Sequence, residues 1–306
     1  MSPRRSEVDR RIAAIEGLVC RDVGRRTQEL IAASRGDFLA ASQSLAGATS
    51  VGLITGFFVP RGDVAAPETD GPVGTALLAA GLAACGVPAR IAVDTPCAEA
   101  VRAAVEAAGG GVAVDEVGVG DRVGLERLPG IWRHAGVSHA IAIERCGRSA
   151  DGRPRNMRGV DVSPWTAPLD DLFMGGSWVK LAVGDGGNEI GMGKLPAGLI
   201  ALTVPNGGEI ACVTSCDHLV VAGVSNWGAY GLMAALAVRR ADWMPTLAKF
   251  LTAERDLAVT RAIVERAGAV DGVTARREAT VDGFGPEIHG ALIDELGRIA
   301  WGQAAD

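Results

Sequence analysis

Hydrophobic positions along this chain fall into two kinds of block that follow each other regularly. Short apolar runs rich in β-branched residues predict buried strands, and longer stretches with apolar residues at helical spacing predict helices. The predicted strands are 51–59, 89–94, 111–117, 137–144, 178–184, 199–204, 209–213 and 218–224. The predicted helices are 6–34, 72–85, 96–108, 123–135, 226–240, 246–267 and 286–301.

Strands that alternate with helices at this spacing predict a mostly parallel sheet with helices on both faces, which is a Rossmann-like three-layer α/β sandwich. A chain of 306 residues is long enough for one large α/β domain or two small ones. No linker, repeat or low-complexity run divides it. We therefore predict an N-terminal helical segment, 1–45, packed on one α/β domain, 46–306.

The composition excludes several classes of protein. Hydrophobic residues make up 48% of the chain, charged residues 22%, and the net charge is −6; a chain of this kind is globular and has no broad attraction for nucleic acid or anionic lipid. The uncharged stretches 71–89 and 218–238 contain glycine and fit buried elements better than membrane spans. We expect a cytoplasmic protein with six reduced cysteines, and a homo-oligomer stays open.

Four loops of unusual composition each follow a predicted strand. In a parallel sheet the carboxyl ends of the strands meet at one edge, where ligands bind in the crevice. Four polar loops at one edge make a binding site there more credible than any single loop would. These loops are 67–74, 144–159, 184–193 and 225–231.

The loop GDGGNEIGMG, 184–193, places five glycines around Asp185, Asn188 and Glu189. Such a backbone can fold closely over a ligand, or it can be a glycine-rich turn whose polar residues cap the next helix. It is not a phosphate-binding P-loop, because no Gly-Lys-Ser/Thr ends it. Two acids in this loop favour acid–base or metal chemistry over unaided phosphate binding.

The loop 144–159 is rich in arginine. Guanidinium groups grip carboxylates with two parallel hydrogen bonds, so this loop either binds an anion or is a solvated basic surface. We favour an anion site because a glutamate stands at the predicted strand end and an asparagine lies in the loop. The candidate residues are Glu144, Arg145, Arg148, Asn156 and Arg158.

Two helix starts add further polar candidates. Glu68, Thr69 and Asp70 come just before the predicted helix 72–85, and Asn226 begins the predicted helix 226–240. These side chains either cap the helices or line a site in which the free N–H groups of the helix start bind an anionic ligand.

The strings ETDGP (68–72), IER-x-GR (143–148), GDGGNEIGMGK (184–194) and AGVSNWG (222–228) resemble, in order and spacing, the cyclase-like domain of the D-glutamate cyclase family. The resemblance runs from about residue 50 to about residue 240. It implies a lyase that converts D-glutamate to 5-oxo-D-proline and water.

The resemblance suggests roles for the candidate residues. Closing glutamate needs a base to deprotonate the amine, activation of the side-chain carboxylate, and correct folding of the substrate. We expect Asp185 or Glu189 to be the base, with Glu144 as a further candidate. We expect Lys194 to stabilise the oxygen anion. The predicted substrate-binding residues are Glu68, Thr69, Asp70, Arg145, Arg148, Asn156, Arg158, Asn188 and Asn226. Asp70, Asp185 and Asp217 are candidate ligands for Mg²⁺ or Mn²⁺, which prefer oxygen ligands.

Two other interpretations keep the same site. The loops could bind a phosphorylated or nucleotide-like anion together with a metal, or the protein could bind a metabolite without turning it over. Turnover is favoured over binding alone, because simple binding does not need so many acids beside the arginines.

Overall fold

A computed structural model of the chain describes residues 3–62 and 64–302. Residues 1–2, 63 and 303–306, which the predicted segments 1–45 and 46–306 include, lie outside the described residues. The strands are β1 (Val51–Ile54), β2 (Phe58–Arg61), β3 (Val64–Pro67), β4 (Ala89–Asp94), β5 (Ala113–Val117), β6 (His139–Ile143), β7 (Val179–Gly184) and β8 (His218–Val221).

Helices fill most of the chain between the strands. They are α1 (Pro3–Val19), α2 (Gln28–Ala33), α3 (Asp37–Leu45), α4 (Pro72–Ala84), α5 (Thr95–Ala107), α6 (Arg122–His134), α7 (Asp170–Met174), α8 (Leu199–Thr203), α9 (Gly207–Ile210), α10 (Ser225–Arg239), α11 (Met244–Phe250), α12 (Ala253–Ala267) and α13 (Pro286–Trp301). Within the described ranges, no helix is both long and apolar enough to cross a membrane.

In the described part of the chain, six parallel strands form one sheet in the order β5-β4-β1-β6-β7-β8. The chain runs outward from β1 through β4 to β5, then returns to place β6 on the other side of β1. Connections therefore diverge between β1 and β6, and such a switch point opens a crevice at the carboxyl edge of the sheet. The antiparallel pair β2–β3 lies between β1 and α4 in sequence.

Side chains alternate between the two faces of the sheet because successive strand residues point in opposite directions. Large side chains such as Leu53 and Ile141 pack under α1, α3, α4, α5 and α10 to α13. Mostly small ones such as Ala142 and Ala182 pack under α2 and α6 to α9. This arrangement of helix, sheet and helix confirms the predicted three-layer α/β fold. The boundary between 45 and 46 stays a prediction, although α1 and α3 both pack on α10.

The predicted helix 6–34 is wrong in its middle. Helix α1 ends at Val19 and α2 begins only at Gln28. Gly24 has a φ of 95°, and the Asp22 carboxylate accepts hydrogen bonds from the N–H groups of Gly24 and Arg25. This turn breaks the helix, because a left-handed residue and a side chain bound to nearby N–H groups compete with helical hydrogen bonds.

The predicted strands 199–204 and 209–213 are also wrong, since both stretches contribute short helices, α8 and α9. Their apolar runs are too short for periodicity to separate strand from helix. Left-handed residues, Gly198 and Asn206, precede the two helices and set their direction.

Two further predicted elements are each split in two in the structure. The run 51–59 is split between β1 and β2 by Gly56, whose φ is 106°. The helix predicted over 246–267 is split into α11 and α12, because the Thr252 hydroxyl accepts a hydrogen bond from Arg255 N–H and starts a new helix.

Candidate active site

A cavity of about 250 Å³ opens at the carboxyl edge of the sheet, beside the point where the connections diverge. Phe57, Val59, Met157 and Val273 form part of its wall. The rest of the lining is polar and dominated by acids. The charged and amide residues that line it are Arg25, Glu68, Glu144, Asn156, Arg158, Asp185, Asn188, Glu189 and Asp282.

The ends of two neighbouring strands place the acids at the centre of this cavity. Glu144 directly follows β6, and Asp185 directly follows β7. Oxygen atoms of Glu144, Asp185 and Glu189 all lie within 4.8 Å of one another, and so do oxygen atoms of Asp70, Asp185 and Asp282. All five carboxyl groups are buried, so Asp185 stands where two acidic groups meet.

The glycine-rich loop after β7 folds around the carboxylate of Glu189. One oxygen, Oε1, accepts hydrogen bonds from the N–H groups of Asp185 and Gly186 at 2.8 and 2.6 Å, and Oε2 accepts one from Gly187 at 2.6 Å. Gly187 has a φ of 109°, a conformation that other residues rarely adopt. Glu189 therefore holds the loop that presents Asp185.

Glu144 stands in a strained position at the end of β6, with a φ of 44°. Such conformations cluster at functional sites. The Ser225 hydroxyl donates to Oε2 of Glu144 at 2.6 Å. Burial raises the pKa of Glu144 well above its usual range, and the charges of Asp185 and Glu189 raise it further. Glu144 is thus suited to carry a proton at neutral pH.

Asp70 and Asn226 cap each other's helices. The Asp70 carboxylate accepts hydrogen bonds from the N–H groups of Ser225 and Asn226 at the start of α10. The Asn226 side-chain oxygen accepts from the N–H groups of Gly71 and Gly74 at the start of α4. These N–H groups are satisfied by protein side chains, so the expectation that they bind the substrate is not supported.

Burial raises the pKa values of several acids at the cavity. Burial raises the pKa of Glu68 well above its usual range, with Asp282 and Asp70 adding to the rise. Burial also raises the pKa of Asp70 and of Asp185. For Asp185 the next largest influence is Arg25, which lowers the pKa. Like charges this close disfavour one another's ionised forms, so Glu68, Asp70 and Asp185 each bind a proton more tightly than an exposed acid does.

Arg25 is the cationic partner of this acid group. Its Nη1 lies 2.6 Å from Oδ2 of Asp185, and its Nη2 lies 2.7 Å from Oδ1 of Asp282. Burial alone would lower the pKa of Arg25, but Asp185 and Asp282 raise it. One guanidinium therefore joins two acids that are 97 positions apart in the sequence.

Of the residues predicted from sequence, most are brought together here. Glu68, Glu144, Asn156, Arg158, Asp185, Asn188 and Glu189 line the cavity. Thr69, Asp70 and Asn226 are buried and do not line it. The Thr69 hydroxyl donates to the backbone oxygen of Thr280 at 2.8 Å, which ties the 67–74 loop to the segment before α13.

The side-chain amides of Asn156 and Asn188 line the cavity and also hold the surrounding loops in place. The Asn156 side-chain oxygen accepts from the N–H groups of Arg158 and Val160. The Asn188 side chain donates to the backbone oxygen of Arg155 at 2.7 Å. Arg158 itself is exposed at the cavity mouth, and no carboxylate of the described residues lies within 4.0 Å of its guanidinium.

Arg145 is a correction to the sequence prediction, because its side chain does not line the cavity. It is 1% exposed, and its Nη2 lies 2.6 Å from Oδ2 of Asp94 at the end of β4. Its other hydrogen bonds go to the backbone oxygens of Gly56 and Ala167. Arg145 points across β1 towards β4, whereas Glu144 lies beside Asp185 and Glu189, which follow β7.

Arg148 also lies outside the cavity. Its guanidinium pairs with Asp171 and approaches Asp170 at 3.7 Å. Arg153 and Arg155 of the same loop pair with Asp161 and Asp151. The charges of Arg148, Arg153 and Arg155 are therefore balanced by nearby acids, which fits the interpretation of this loop as a solvated surface.

Lys194 and Asp217 lie at the opposite edge of the sheet. Asp217 precedes β8, and its Oδ2 accepts a hydrogen bond from Lys180 N–H near the start of β7. Lys194 pairs with Asp37 and donates to the backbone oxygen of Asp217 at 2.6 Å. Asp217 precedes β8, whereas Asp185 follows the neighbouring parallel strand β7, and Lys194 is bound to Asp217. The predicted roles of Lys194 and Asp217 are therefore wrong for this geometry.

Sequence reasoning missed two charged residues of the cavity, Arg25 and Asp282. Arg25 lies in a stretch that reads as helix, and its only signal is the neighbouring Gly24. Asp282 has an Asp-Gly turn as its signal, but nothing in the sequence places it beside Asp185. In the structure Asp282 takes the position that the prediction gave to Asp217 in the acidic triad with Asp70 and Asp185.

Comparison with known proteins agrees with the resemblance of the motifs. A family model described as D-glutamate cyclase-like, C-terminal, matches residues 15–297. The human protein named D-glutamate cyclase, mitochondrial, is 36% identical over 215 residues, which is 66% of this chain and 35% of the human protein. The matched segment thus spans about a third of that relative's length, and the cytoplasmic location of this chain stays a prediction. On the extent of the family match, this chain belongs to the D-glutamate cyclase-like, C-terminal family.

Proposed function

We propose that this protein is a D-glutamate cyclase-like lyase, which dehydrates D-glutamate to 5-oxo-D-proline by attack of the amine on the side-chain carboxylate. The observation that carries the proposal is the buried acid group centred on Asp185, with Arg25 paired to it and Arg158 at the cavity mouth. The name of the human relative supports the choice of substrate.

The reaction sets two opposing requirements. The substrate ammonium must lose a proton before its nitrogen can attack, and the side-chain carboxylate must gain one before it becomes a good electrophile. A site therefore needs one ionised acid and one protonated acid close together, with environments that push their pKa values apart. Asp185 and Glu144 meet this requirement best.

Asp185 is the proposed base. Burial raises its pKa, which brings its affinity for a proton closer to that of the substrate ammonium than an exposed aspartate would have. The guanidinium of Arg25 at 2.6 Å favours the ionised form. An ionised Asp185 takes a proton from the ammonium and leaves the nitrogen lone pair free.

Glu144 is the proposed acid. Its nearest charged neighbours are other acids, which favour the protonated form. Glu144 gives its proton to an oxygen of the substrate side-chain carboxylate as the C–N bond forms. The nitrogen then loses its second proton to the ionised Glu144, and Asp185 passes the proton it took from the ammonium to the hydroxyl group as the C–O bond breaks. The departing oxygen leaves as water, one water is released for each lactam formed, and both acids return to their starting states.

Charge complementarity positions the substrate. The ammonium group suits the acidic floor formed by Asp185, Glu144 and Glu68, and a substrate carboxylate suits Arg158 at the mouth. The proposed role of Glu189 is to hold the loop, since its two oxygens already accept three backbone hydrogen bonds.

Two acidic triads also fit a divalent metal. Each offers three oxygen atoms within 4.8 Å of one another, which is the type of ligand that Mg²⁺ and Mn²⁺ prefer. The buried Oδ2 of Asp282 accepts no hydrogen bond from the described residues, so it has a lone pair to offer. Asp70, Asp185 and Asp282, or Glu144, Asp185 and Glu189, would hold the ion, which would polarise the substrate carboxyl oxygen as a Lewis acid.

The test is to incubate the purified protein with D-glutamate and, separately, L-glutamate, and to measure 5-oxoproline by chiral chromatography. Each incubation is run with EDTA, with Mg²⁺ and with Mn²⁺. We expect 5-oxo-D-proline from the D-enantiomer and little product from the L-enantiomer. Absence of product from D-glutamate under all three conditions would overturn the proposal.

A binding measurement separates this proposal from the two other interpretations of the site. Thermal unfolding is followed with D-glutamate, 5-oxoproline, and nucleotides with and without Mg²⁺, because a ligand that binds the native state raises Tm. Stabilisation by nucleotides alone would favour a phosphorylated ligand. Stabilisation by D-glutamate without product would favour a binding protein.

A further inference from the structure

The turn 281–284 carries Asp282 into the wall of the cavity. Its two central residues have φ values of 57° and 81°, as in a type I′ turn. Val281 and Phe284 exchange two backbone hydrogen bonds across the turn, at 3.0 and 2.9 Å. Asp282 therefore stands at the tip of a tight turn, and its Oδ1 lies 2.7 Å from Nη2 of Arg25.

Several features of Asp282 oppose this placement. Its backbone is left-handed, a conformation that is uncommon for residues other than glycine. Its buried Oδ2 has no hydrogen-bond partner among the described residues, and burying an unpaired acceptor costs free energy. Oxygen atoms of Asp70 and Asp185 lie within 4.8 Å of an oxygen of Asp282. Such a residue persists only where its surroundings hold it, and it is typical of functional sites.

Two buried side chains hold the turn. The Asp271 carboxylate accepts a hydrogen bond from Gly283 N–H at 2.7 Å. On the other side, Nε2 of His289 lies 3.3 Å from the backbone oxygen of Val281, and Nδ1 of His289 accepts a hydrogen bond from Trp227 Nε1–H at 2.9 Å. Because an indole N–H can only donate, Nδ1 carries no proton, and the ring proton lies on Nε2. Trp227 thus directs the His289 N–H to Val281.

Trp227 belongs to the first turn of α10, which also holds two other acids of the site. The two residues before Trp227 donate hydrogen bonds to Glu144 and Asp70. Trp227 reaches a third acid, Asp282, through the ring of His289 and the turn. One turn of helix thereby places acids from three separate segments of the chain.

We propose that His289 is a positioning residue for the cyclisation: its Nε2–H, directed by Trp227, holds the turn that carries Asp282. Asp282 then stays in the cavity beside Asp185, the proposed base. Without this hydrogen bond the turn can move outward, because the unpaired oxygen and the acidic neighbours of Asp282 favour that movement. The effect on turnover rests on the proposed function, whereas the hold on the turn can be measured without substrate.

Two substitutions of His289 each keep one of its two hydrogen bonds. In His289→Gln the side-chain nitrogen takes the place of Nε2 and still donates to Val281. In His289→Asn the side-chain oxygen takes the place of Nδ1 and still accepts from Trp227, but no donor reaches Val281. Each variant loses one buried hydrogen bond, so urea unfolding should show a similar loss of stability in both.

The first test measures hydrogen exchange at the backbone amides of Val281 and Phe284. We expect these amides to exchange about fivefold faster in His289→Asn than in His289→Gln, as the loss of one hydrogen bond to the turn predicts. Equal exchange in the two variants would overturn the proposal. If His289→Asn does not fold, Trp227→Phe is compared with the wild type, because it removes the donor that directs the His289 N–H. Unchanged exchange in Trp227→Phe would then overturn the proposal.

The second test measures kcat and KM for D-glutamate. Displacement of a group by about 1 Å can lower a rate about 10²-fold. We therefore expect kcat to fall about 10- to 100-fold in His289→Asn, with a smaller change in KM, and to stay close to the wild-type value in His289→Gln. A merely structural role would lower both variants alike, so equal kcat in the two would overturn the proposal.

His139 offers a matched control. It is also buried, and its ring nitrogens contact the hydroxyl groups of Ser44 and Ser138 at 3.0 and 2.9 Å. It begins β6 and so lies at the edge of the sheet opposite the cavity. His139→Asn should lower stability and leave kcat unchanged. Faster exchange of the turn in His289→Asn, in a protein whose wild type shows no cyclase activity, would contradict the proposed function alone.

Discussion

Two arginines of this molecule, Arg145 and Arg25, contact buried carboxylates, and they differ in how well the charges around them balance. Arg145 and Asp94 have side chains 1% and 0% exposed, and two backbone oxygens accept the remaining hydrogen bonds of the guanidinium. Arg25 faces Asp185 and Asp282 directly, with Asp70 close by, and it is partly exposed. The first pair has one acid for one base, and the second has an excess of acids.

The difference separates structure from chemistry. A balanced buried pair has no reason to exchange protons, and it joins the ends of β4 and β6 across β1. An unbalanced group must hold protons that it can pass on, and this is the property that a general acid and a general base require. Arg145, of the balanced pair, lies in the motif IER-x-GR. Arg25, of the unbalanced group, lies far outside the motifs.

The largest expected effect concerns Asp185, which belongs to the group in which acids outnumber bases. Asp185→Asn should lower kcat for D-glutamate about 10²- to 10⁴-fold, because a general base contributes that much. Its fold should persist, since Arg25 keeps Asp282 as a partner and one buried acid is removed. Steady-state kinetics and urea unfolding measure the two effects. An unchanged kcat would show that Asp185 takes no part in the chemistry. The contrast between the two groups of charges would then no longer hold.

The balanced pair predicts the opposite outcome. Arg145→Met should cost about 3–5 kcal/mol of unfolding free energy, because it leaves Asp94 buried without its partner. Arg25→Met should cost less, since the acids around it can take up protons. Urea unfolding of both variants at pH 7 makes the comparison. An Arg145→Met protein with wild-type stability and no activity would place Arg145 in the active site after all.

The placement of the site at the carboxyl edge could be predicted from sequence. Apolar runs fix where β6 and β7 end, so the positions of Glu144 and Asp185 at the sheet edge follow from the pattern alone. The direction in which Arg145 points could not be predicted, because it depends on strand order. With β4 and β6 on opposite sides of β1, Asp94 comes within reach of Arg145.

Residues far from the motifs were beyond sequence reasoning for a different reason. Arg25 reaches the site because Gly24 turns the chain out of a helix, and a single glycine in an amphipathic pattern is a weak signal. The predictions for Asp217 and Lys194 were wrong because the position before or after a strand decides the edge at which Asp217 lies, and Lys194 is bound to Asp217. Asp217 precedes β8 and therefore lies at the wrong edge.

A smaller effect concerns the pH dependence of stability. Burial and acidic neighbours raise the pKa of Glu144 in the folded protein, whereas in the unfolded chain it is about 4.3. Between these values the native state holds a proton that the unfolded chain has released, so stability falls as pH rises. Glu144→Gln removes this contribution, and the slope should become shallower by up to about 1.4 kcal/mol per pH unit. Urea unfolding from pH 4 to 9 measures the slope, and an unchanged slope would contradict the protonated state of Glu144.

The smallest expected effect tests the arginine-rich loop. Arg148 is 36% exposed and pairs with Asp171, which is 56% exposed, and ion pairs at such sites contribute about 0–1 kcal/mol. Arg148→Ala should therefore change the unfolding free energy by no more than about 1 kcal/mol and leave KM for D-glutamate unchanged. A KM raised tenfold or more at wild-type stability would show that Arg148 reaches the substrate when it binds. The ion pairs of this loop would then describe the protein without substrate, and they would not argue against a role of the loop in binding.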